Sequence, residues 1–379
     1  MNTGALNTAK PKHLVLLGAG LAHVHLMARL AKRPLQGIRV TLISSRSHWF
    51  DATLVPRFVA GLGTVEECCI ALEPLAQRGQ VRWVRRNAMD VNPQTKVMLM
   101  DDGSELPFDW LSIDTEPVQP RDKIQLAMPG ARENVLFTRP LEAFCNLWPR
   151  VTGLGQDGAI RVTVICDGFE AGQDFGMELA MAVRKRLPHA AVTLVTGGAR
   201  LAASHPPVVQ AFWAKALRVR RITVLVDQAS GVARGEVLLG SGARLACDVP
   251  ILATRGQLPA WLGRCGLAMD DGGAIAIDAC QRSTSHPHVF APTPGHPAAA
   301  KLLANLTTVM AGLEPKPRRA IAEGLNILAC SDGKAIAAWG AHAAHGRLLG
   351  WLKYSVDRIR IAKYRTPGDP HETRYTTNP

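Results

Sequence analysis

Residues 13–23 read HLVLLGAGLAH, which is a short apolar run followed by a glycine-rich turn and the first residues of a helix-like pattern. The apolar run at 13–17 predicts a buried strand, and the apolar residues from 21 to 32 have helical spacing. A second apolar run at 38–44 predicts another buried strand. Residues 13–44 are therefore predicted to form one β-α-β unit.

The turn in this unit has the context of a dinucleotide fingerprint, which needs a strand before it and a helix after it. Gly18 permits the tight turn, and Gly20 lets a pyrophosphate approach the backbone at the helix N-terminus, where amides and the helix dipole favour an anion. Leu21 and Ala22 follow, and His23 stands at the position of the third glycine, where we expect it to donate to a phosphate. The alternative is a glycine-rich turn that binds nothing.

The end of the second strand lacks the usual acidic residue that holds an adenosine ribose. Ser44, Ser45 and Arg46 stand there instead. We expect serine hydroxyls or backbone groups to hold the ribose, with Arg46 near phosphate.

A second β-α-β unit is predicted from residue 160, with a strand at 161–166, a helix at 176–186 and a strand at 191–195. Further strands are predicted at 222–226, 235–239 and 249–253. Two runs at 81–101, around the Asn92-Pro93 pair, predict an antiparallel hairpin, and 106–114 predicts another strand. The fold class is therefore α/β, with two open halves in tandem.

Several further segments resemble those of FAD-dependent pyridine nucleotide-disulfide oxidoreductases, in the same order along the chain. The chain is most similar to the type II NADH dehydrogenase-like branch often associated with selenophosphate synthetase, whose Gly-His-Ala-His-Val turn resembles residues 20–24. The resemblance runs from about residue 12 to 365, and the segments that carry it are 56–61, 106–115, 129–133 and 283–291.

This resemblance implies two tandem Rossmann-like domains of the FAD/NAD(P)-binding fold and a C-terminal amphipathic helical segment. The implied division is an FAD-binding-type domain at 12–122 plus 276–315, an NAD(P)-binding-type domain at 123–275, and a C-terminal region at 316–379. The implied cofactors are FAD and NAD(P)H, and no catalytic residue is identified. Implied cofactor contacts beyond those of the first turn and the second strand end are Pro56, Thr115, Gly168, Gly176, Glu178 and Thr254.

The cofactor motifs depart from the family pattern at several places. Glu116 follows Thr115 and Arg255 follows Thr254, where the family has glycine. Residues 293–294 are Thr-Pro in place of the family's Gly-Asp, and the segment 295–303 is shorter than its counterpart. A charged side chain removes the room that glycine gives a ligand, so these changes predict weakened FAD binding. We expect Arg255 or Arg46 to pair with Glu116, and a pair with Arg255 would explain both changes.

The second nucleotide turn is also altered, because extra residues separate Gly168 from Gly176. We interpret 167–175 as an inserted loop in which Asp167, Glu170 and Asp174 add negative charge beside the pyrophosphate position. The prediction is that NADH and NADPH reduce the protein slowly or not at all.

The composition excludes several classes of site and partner. The eight cysteines include no Cys-x-x-Cys pair and no zinc spacing, so we expect buried thiols and no metal site. No run reaches the ~18 apolar residues of a membrane span, and residues 1–12 lack a signal-peptide core. Forty-four Lys and Arg against 31 Asp and Glu give a net charge of +13, which suits an anionic partner.

The tail at 347–365 predicts an amphipathic helix for a membrane surface. Leu348, Leu352, Val356 and Ile359 share one face, Trp351 suits an interface, and the local net charge from 351 to 365 is +4. The alternatives are a helix packed on the body or on a partner copy. Nucleic acid ranks low because no aromatic-interleaved basic motif is present.

The sequence therefore favours a peripheral membrane oxidoreductase on the inner face of the cytoplasmic membrane, passing electrons from NAD(P)H through FAD to a quinone or another small-molecule acceptor. The competing hypothesis is a catalytically inactive paralogue that keeps the fold as a binding or assembly subunit. Such a subunit would form a homodimer or a heteromer with an active homologue.

Overall fold

The computed structural model describes residues 11–155, 158–292, 296–317, 325–339 and 342–365. The strands of the first half are β1 (Lys12–Leu17), β2 (Ile38–Ile43), β3 (His48–Phe50), β4 (Cys69–Ala71), β5 (Arg82–Val84), β6 (Ala88–Asn92), β7 (Val97–Met100), β8 (Glu105–Pro107) and β9 (Trp110–Ile113). Those that follow are β10 (Leu136–Phe137), β11 (Arg161–Ile165), β12 (Ala191–Val195), β13 (Thr223–Leu225), β14 (Ala229–Ala233), β15 (Glu236–Leu239), β16 (Arg244–Ala246), β17 (Val249–Leu252), β18 (Val289–Phe290), β19 (Asn326–Ala329), β20 (Ala335–Trp339) and β21 (His342–Gly346).

The helices lie between these strands and at the end of the described chain. They are α1 (Leu21–Leu30), α2 (Val55–Val59), α3 (Leu72–Arg78), α4 (Arg121–Ala127), α5 (Ala131–Asn134), α6 (Leu141–Leu154), α7 (Glu170–Arg186), α8 (Pro207–Val219), α9 (His296–Met310) and α10 (Arg347–Ala362).

Two parallel sheets carry the fold, as the α/β prediction requires. The first has the strand order β18-β9-β1-β2-β5, and the second has the order β10-β17-β11-β12-β13. In both sheets the first strand of the predicted β-α-β unit is central, and β1 and β11 are buried along almost their whole length. Strands covered on both faces need continuous apolar runs, which the sequence supplies at 13–17 and 162–165.

Three-stranded antiparallel sheets, β6-β7-β8 and β14-β15-β16, accompany the two parallel sheets. The predicted hairpin at 81–101 is correct for β6 and β7, but its first residues form β5, which pairs in parallel with β2. The predicted strand at 106–114 is two strands, β8 and β9, separated by a turn at 108–109. The first of these joins the hairpin and the second joins the parallel sheet.

The second unit differs from prediction at its helix. Helix α7 begins at Glu170 rather than at residue 176, so the extra residues continue the helix by further turns instead of forming a loop. Residues 172 and 176 are glycine where a side chain has no room, because an added β-carbon would lie 2.3 Å from Asp167 Oδ1 and 2.3 Å from Cys166 Sγ, respectively. The interpretation of 167–175 as an inserted loop is therefore wrong.

A large apolar core joins the helices that cover the two sheets. It includes Leu26 of α1, Val55 of α2, Trp148 of α6, Met177 of α7 and Trp213 of α8, all at most 2% exposed. Helix α2 packs directly on α7. The elements of the first nucleotide fold thus rest on those of the second, while the proposed division into domains stays a prediction.

The C-terminal part contains a sheet that the sequence reading missed. Strands β19, β20 and β21 form an antiparallel sheet, and α10 packs on β20. Helix α10 starts at Arg347, where the amphipathic pattern placed it. Among the described residues, no helix has the length and apolarity needed to cross a membrane.

Candidate nucleotide site

The turn between β1 and α1 is packed tightly against the end of β9. Gly18 has a φ of +87°, a conformation that glycine adopts without strain. Its N–H donates to Ile43 O at 2.9 Å, and Gly20 N–H donates to Asp114 O at 2.8 Å. A β-carbon on Gly18 would lie 2.5 Å from that same oxygen of Asp114. The turn therefore has the close approach that the glycine pattern predicts, but the chain's own β9 end makes the approach.

The carboxylate of Asp114 covers the N-terminus of α1. Its Oδ2 accepts hydrogen bonds from Ala22 N at 2.8 Å and from His23 N at 3.2 Å. A β-carbon on Gly20 would lie 2.2 Å from Asp114 Oδ1. The first amides of a helix and its dipole attract an anion, and here that anion is a side chain of the protein.

The His23 ring does not reach the phosphate position, which corrects the prediction for this residue. The ring is fully buried, its Nδ1 donates to Gly18 O at 2.7 Å, and its Nε2 accepts from the Ser112 hydroxyl at 2.8 Å. The carbonyl can only accept, which fixes this tautomer. Burial lowers the pKa of His23, and the charge of Asp114 opposes this effect. The ring is therefore neutral and joins the turn to β9 through its two hydrogen bonds.

The end of β2 meets the same turn in a cleft with a volume of about 160 Å³. Ser45 Oγ donates to Asn87 Oδ1 at 2.6 Å, and Ser44 Oγ accepts from Arg46 N at 3.3 Å. Both serines and Arg46 line the cleft together with the glycine turn. The sequence placed these residues at one strand-end edge, and the structure brings them together there.

Glu116 reaches across this cleft to Arg46, whose guanidinium donates to Glu116 Oε2. Burial raises the pKa of Glu116, and the positive charges of Arg46 and Arg139 oppose that rise. Oε1 of Glu116 is buried and has no hydrogen-bond partner among the described residues. The expectation that Arg46 or Arg255 neutralises Glu116 is met by Arg46.

The pairing of Glu116 with Arg255 is wrong. The Arg255 guanidinium lies 3.5 Å from the centre of the Phe169 ring, and its backbone N–H donates to Asp167 Oδ2 at 2.8 Å. Arg255 therefore belongs to the second nucleotide turn. The two substitutions of glycine by a charged residue have separate structural explanations.

The second turn has the same arrangement of an aspartate against a helix start. Gly168 has a φ of +79°, and Asp167 Oδ1 accepts from Phe169 N at 3.3 Å. A β-carbon on Gly172 would lie 2.3 Å from this oxygen. The carboxylate therefore lies beside the first turn of α7, in the region where the resemblance places the second pyrophosphate.

Of the remaining predicted contacts, Thr115 lies at the first turn and lines its cleft, whereas the others lie away from it. Pro56 is buried in the first turn of α2, and Thr254 Oγ1 accepts from Gln119 Nε2 at 2.9 Å. Glu178 is buried in α7, where Oε1 accepts from Ala329 N at 2.5 Å and burial raises its pKa to about 7. The hydroxyl of Thr115 is buried without a partner in the described chain. Gly176 packs against Cys166 at the strand–helix contact.

The apolar face of α10 points away from the body. The aliphatic and aromatic residues predicted for this face are exposed: Leu348 by 76%, Trp351 by 64%, Leu352 by 37%, Val356 by 51% and Ile359 by 61%. The opposite face is fixed by Ile361, which is 2% exposed, and by Arg360, which donates to Asp51 Oδ2 at 2.5 Å. Tyr364, just after the helix, is also 2% exposed. The helix is therefore held by one face and leaves the other uncovered within the described structure.

A comparison of the sequence with known protein families identifies the family to which the chain belongs. The pyridine nucleotide-disulphide oxidoreductase pattern covers residues 12–292. The chain belongs to this family. Its members are oxidoreductases that bind FAD and NAD(P)H, and the predicted superfamily and fold class are thereby confirmed.

Two relatives act on quinones by name. Sulfide-quinone reductase of Aquifex aeolicus (strain VF5) is 24% identical over 123 residues, which are 32% of this chain and 27% of the relative. External NADH-ubiquinone oxidoreductase 2, mitochondrial, of Saccharomyces cerevisiae is 26% identical over 155 residues, 38% of this chain and 27% of the relative. The chain thus spans about a quarter of the length of these two relatives.

Solved structures of the same kind share the fold over nearly the whole chain. The sulfide:quinone oxidoreductase of Aquifex aeolicus has a TM-score of 0.75 at 15% identity and covers 96% of this chain and 94% of its own. NDH2 of Plasmodium falciparum in complex with NADH has a TM-score of 0.74 at 12% identity and covers 97% and 99%.

The conformation described for this member of the family does not fit the FAD pyrophosphate. The amides of Ala22 and His23 already bind Asp114, and Glu116 adds a second carboxylate to the cleft. The cleft, at about 160 Å³, is also smaller than the roughly 300–1,000 Å³ usual for a small-molecule site. The substitution at 293–294 lies outside the described residues.

Asp114 and Arg139 are the site residues that sequence reasoning missed. Asp114 follows β9, which pairs with β1, so the carboxyl ends of both strands meet at the turn. The pairing of β9 with β1 could therefore have identified Asp114 from the sequence. Arg139 precedes α6 far along the chain, and no local pattern marks it. Among the described residues, no cluster of His, Cys, Asp and Glu could hold a metal ion.

Proposed function

We propose that the chain acts at a membrane surface as an NAD(P)H oxidoreductase that passes electrons to a quinone or another acceptor. The observation that carries this proposal is the outward apolar face of α10, made of Leu348, Trp351, Leu352, Val356 and Ile359. A quinone partitions into lipid, so an enzyme that reduces it gains from lying at the bilayer surface. The two quinone-acting relatives support the same class of acceptor.

The inward face of α10 gives the helix a fixed orientation. Arg360 bonds Asp51 and also donates to Thr53 Oγ1 at 2.7 Å, while Arg57 lies over the Tyr354 ring at 3.8 Å. These contacts use the loop before α2 and α2 itself. The proposal therefore places the membrane against the side of the molecule that carries this loop and helix.

The contribution of charge to membrane binding is smaller than the sequence suggested. Lys353 pairs with Asp357 at 3.3 Å, Arg360 with Asp51, and Arg365 donates to Glu66 O at 2.8 Å. Arg347 and Arg358 on the helix and Lys363 at its C-cap are exposed to solvent. At roughly 1 kcal/mol for each basic residue near an anionic surface, these three contribute about 3 kcal/mol.

The apolar contribution is larger and does not depend on salt. Complete burial of one large aliphatic side chain contributes about 1.5–3 kcal/mol, and the outward face of α10 has four such side chains besides Trp351. An interfacial helix buries only part of each side chain, so roughly half of the summed value is the appropriate scale. We propose the inner face of the cytoplasmic membrane as the surface to which α10 binds.

A second function is favoured by the nucleotide turn itself. Asp114 and Glu116 put carboxylates where a dinucleotide phosphate belongs, which suits an inactive paralogue that keeps the fold as a binding or assembly subunit. Such a subunit would use the exposed face of α10 against another copy or an active homologue instead of lipid.

Anaerobic assays separate the two functions. The full-length protein is incubated with FAD and with anionic vesicles that contain a long-chain quinone, and NADH or NADPH is then added. The oxidoreductase proposal predicts quinone reduction that requires added or retained flavin. A protein that binds vesicles but reduces no quinone at any flavin concentration is the inactive subunit.

A further inference from the structure

Two half-buried carboxylates and two half-buried guanidiniums surround the first nucleotide turn. Asp114 bonds two amides at the N-terminus of α1, and Glu116 is paired with Arg46 and lies within electrostatic reach of Arg139. Asp114 is two residues before Glu116, so the two side chains project from the same segment after β9 onto the same turn. Negative charge is thus supplied at the turn by the protein itself.

We propose that Asp114 and Glu116 act as an internal substitute for the diphosphate of a dinucleotide, so that a dinucleotide binds the turn only after displacing Asp114 from the helix amides. The closed site is an autoinhibitory contact built from one short segment. The family binds FAD at this fold, and the inference concerns what FAD must displace in this chain.

The position of Asp114 matches that of a phosphate in three respects. Its carboxylate accepts from amides in the first turn of α1, where the helix dipole favours an anion. Its Oδ1 lies so close to Gly20 that a β-carbon there would be 2.2 Å away, which is the approach that the second glycine permits to a ligand. The carboxylate also satisfies amides that would otherwise be left as unpaired donors.

Glu116 neutralises positive charge that a diphosphate would otherwise meet. Arg46 comes from the end of β2 and Arg139 from the residues before α6, and burial lowers the pKa of Arg139 while Glu116 opposes that effect. Without Glu116, two guanidiniums would remain beside the turn, and arginine is well suited to phosphate oxygens. Removing the two carboxylates therefore converts a closed turn into a cationic phosphate site.

The test compares full-length wild type with Asp114→Ala, Glu116→Gly and the double variant. Asp109→Ala is the matched control, because the Asp109 carboxylate accepts from His13 N at 2.6 Å at the other end of β9 and carries the same charge. Thermal unfolding is measured with and without sodium pyrophosphate, with adenosine as a phosphate-free probe. FAD binding is measured by quenching of flavin fluorescence.

The expected result is that pyrophosphate raises the unfolding midpoint of Asp114→Ala but not that of wild type or Asp109→Ala, and that adenosine does not distinguish the variants. FAD affinity should rise about tenfold in Asp114→Ala, which is the scale of one charge-assisted hydrogen bond, and further in the double variant. Equal effects of pyrophosphate on wild type and Asp114→Ala would overturn the inference.

Glu116→Gly keeps the helix cap intact and so covers the case in which Asp114→Ala does not fold. It should bind FAD more tightly than wild type, and unchanged affinity would also overturn the inference. No electron donor or quinone is present in these measurements. A variant that gains pyrophosphate and FAD binding here but reduces no quinone in the separate vesicle assay supports the closed turn and refutes the proposed activity. Tight FAD binding by the wild type that no variant improves refutes the closed turn alone.

Discussion

The guanidinium of Arg360 donates to the carboxylate of Asp51 at 2.5 Å, across 309 residues of sequence. Arg360 also pairs with Asp357 at 3.1 Å, so its guanidinium lies between two carboxylates and pairs with both. Both carboxylates are nearly inaccessible to solvent. This interaction joins α10 to the loop before α2. It determines which face of α10 is turned inward and which is left exposed.

Replacing Arg360 with alanine should destabilise the fold by about 2–4 kcal/mol, because Asp51 and Asp357 would remain buried without their shared cation. The measurement is urea unfolding followed by circular dichroism. Lys363→Ala is the control at the residue that caps the same helix, because Lys363 is exposed, and its effect should stay within about 0.5 kcal/mol. Equal effects of the two substitutions would show that the Arg360 contacts contribute nothing specific.

Glu178 should make stability fall as pH rises. Its pKa is raised from 4.5 to about 7 in the folded state, chiefly by burial, so the folded protein binds more protons than the unfolded chain between those values. The contribution is present below about pH 4.5 and is lost as pH rises through 7. Glu178→Gln does not titrate, so it should gain up to about 3 kcal/mol relative to wild type between pH 5 and pH 8. Denaturant midpoints that keep a constant difference across this range would contradict the prediction.

His23 should act in the opposite direction. Burial lowers its pKa from 6.5, so the unfolded chain binds more protons and stability is lost as pH falls below about 6.5. His23→Gln can keep hydrogen bonds to Gly18 O and Ser112 but does not titrate in this range. The variant should therefore lose less stability than wild type between pH 7 and pH 5, by up to about 1.4 kcal/mol for each unit of pKa shift. A steeper loss in the variant would show that His23 is charged in the fold.

The contact between α7 and β11 can be tested at Gly176. A β-carbon there would lie 2.3 Å from Cys166 Sγ, so Gly176→Ala should cost about 1–3 kcal/mol. When Gly176→Ala is combined with Cys166→Ala, at least about 1 kcal/mol of the lost unfolding free energy should be restored. This would appear as a favourable coupling free energy in a double-mutant cycle. Gly153→Ala in α6 is the control, because no atom lies within 4 Å of its added carbon and alanine favours a helix. Additive effects at 166 and 176 would argue against this packing.

The sequence predicted the central strands of both parallel sheets, because strands buried on both faces leave continuous apolar runs, as at 13–17 and 191–195. It did not predict the edge strands β5 and β10, which are two or three residues long. It did not predict the start of α7 at Glu170, since glycine at 172 and 176 resembles a turn until the contacts with Asp167 and Cys166 are known. The local pattern shows conformational preference, whereas these helical positions depend on tertiary contacts.

The location of the candidate site was predicted from the sequence, but the side chains that occupy it were not. The turn at Gly18 and Gly20 and the strand end at Ser45 and Arg46 were identified from the chain alone. The occupation of the α1 amides by Asp114, and the ring of His23 turned inward to Ser112, depend on β9 lying beside β1. Such contacts join residues about 90 positions apart, and no local spacing reveals them.

Co-sedimentation with anionic vesicles tests most directly the claim that the outward face of α10 holds the protein on a membrane. The wild type should bind at low salt and more weakly, but still measurably, at about 1 M salt, where charge is screened within about 3 Å and the apolar contribution persists. Trp351→Ala with Ile359→Gln should abolish binding at about 1 M salt and weaken it at low salt, where the basic residues still contribute. Leu126→Gln, at an apolar residue of α4 that is more exposed than Trp351 or Ile359, should leave binding unchanged. Vesicle binding by the α10 variant that equals that of the wild type at about 1 M salt would contradict the account. A wild-type protein that does not bind vesicles, but whose oligomer becomes a monomer in the variant, would also contradict it.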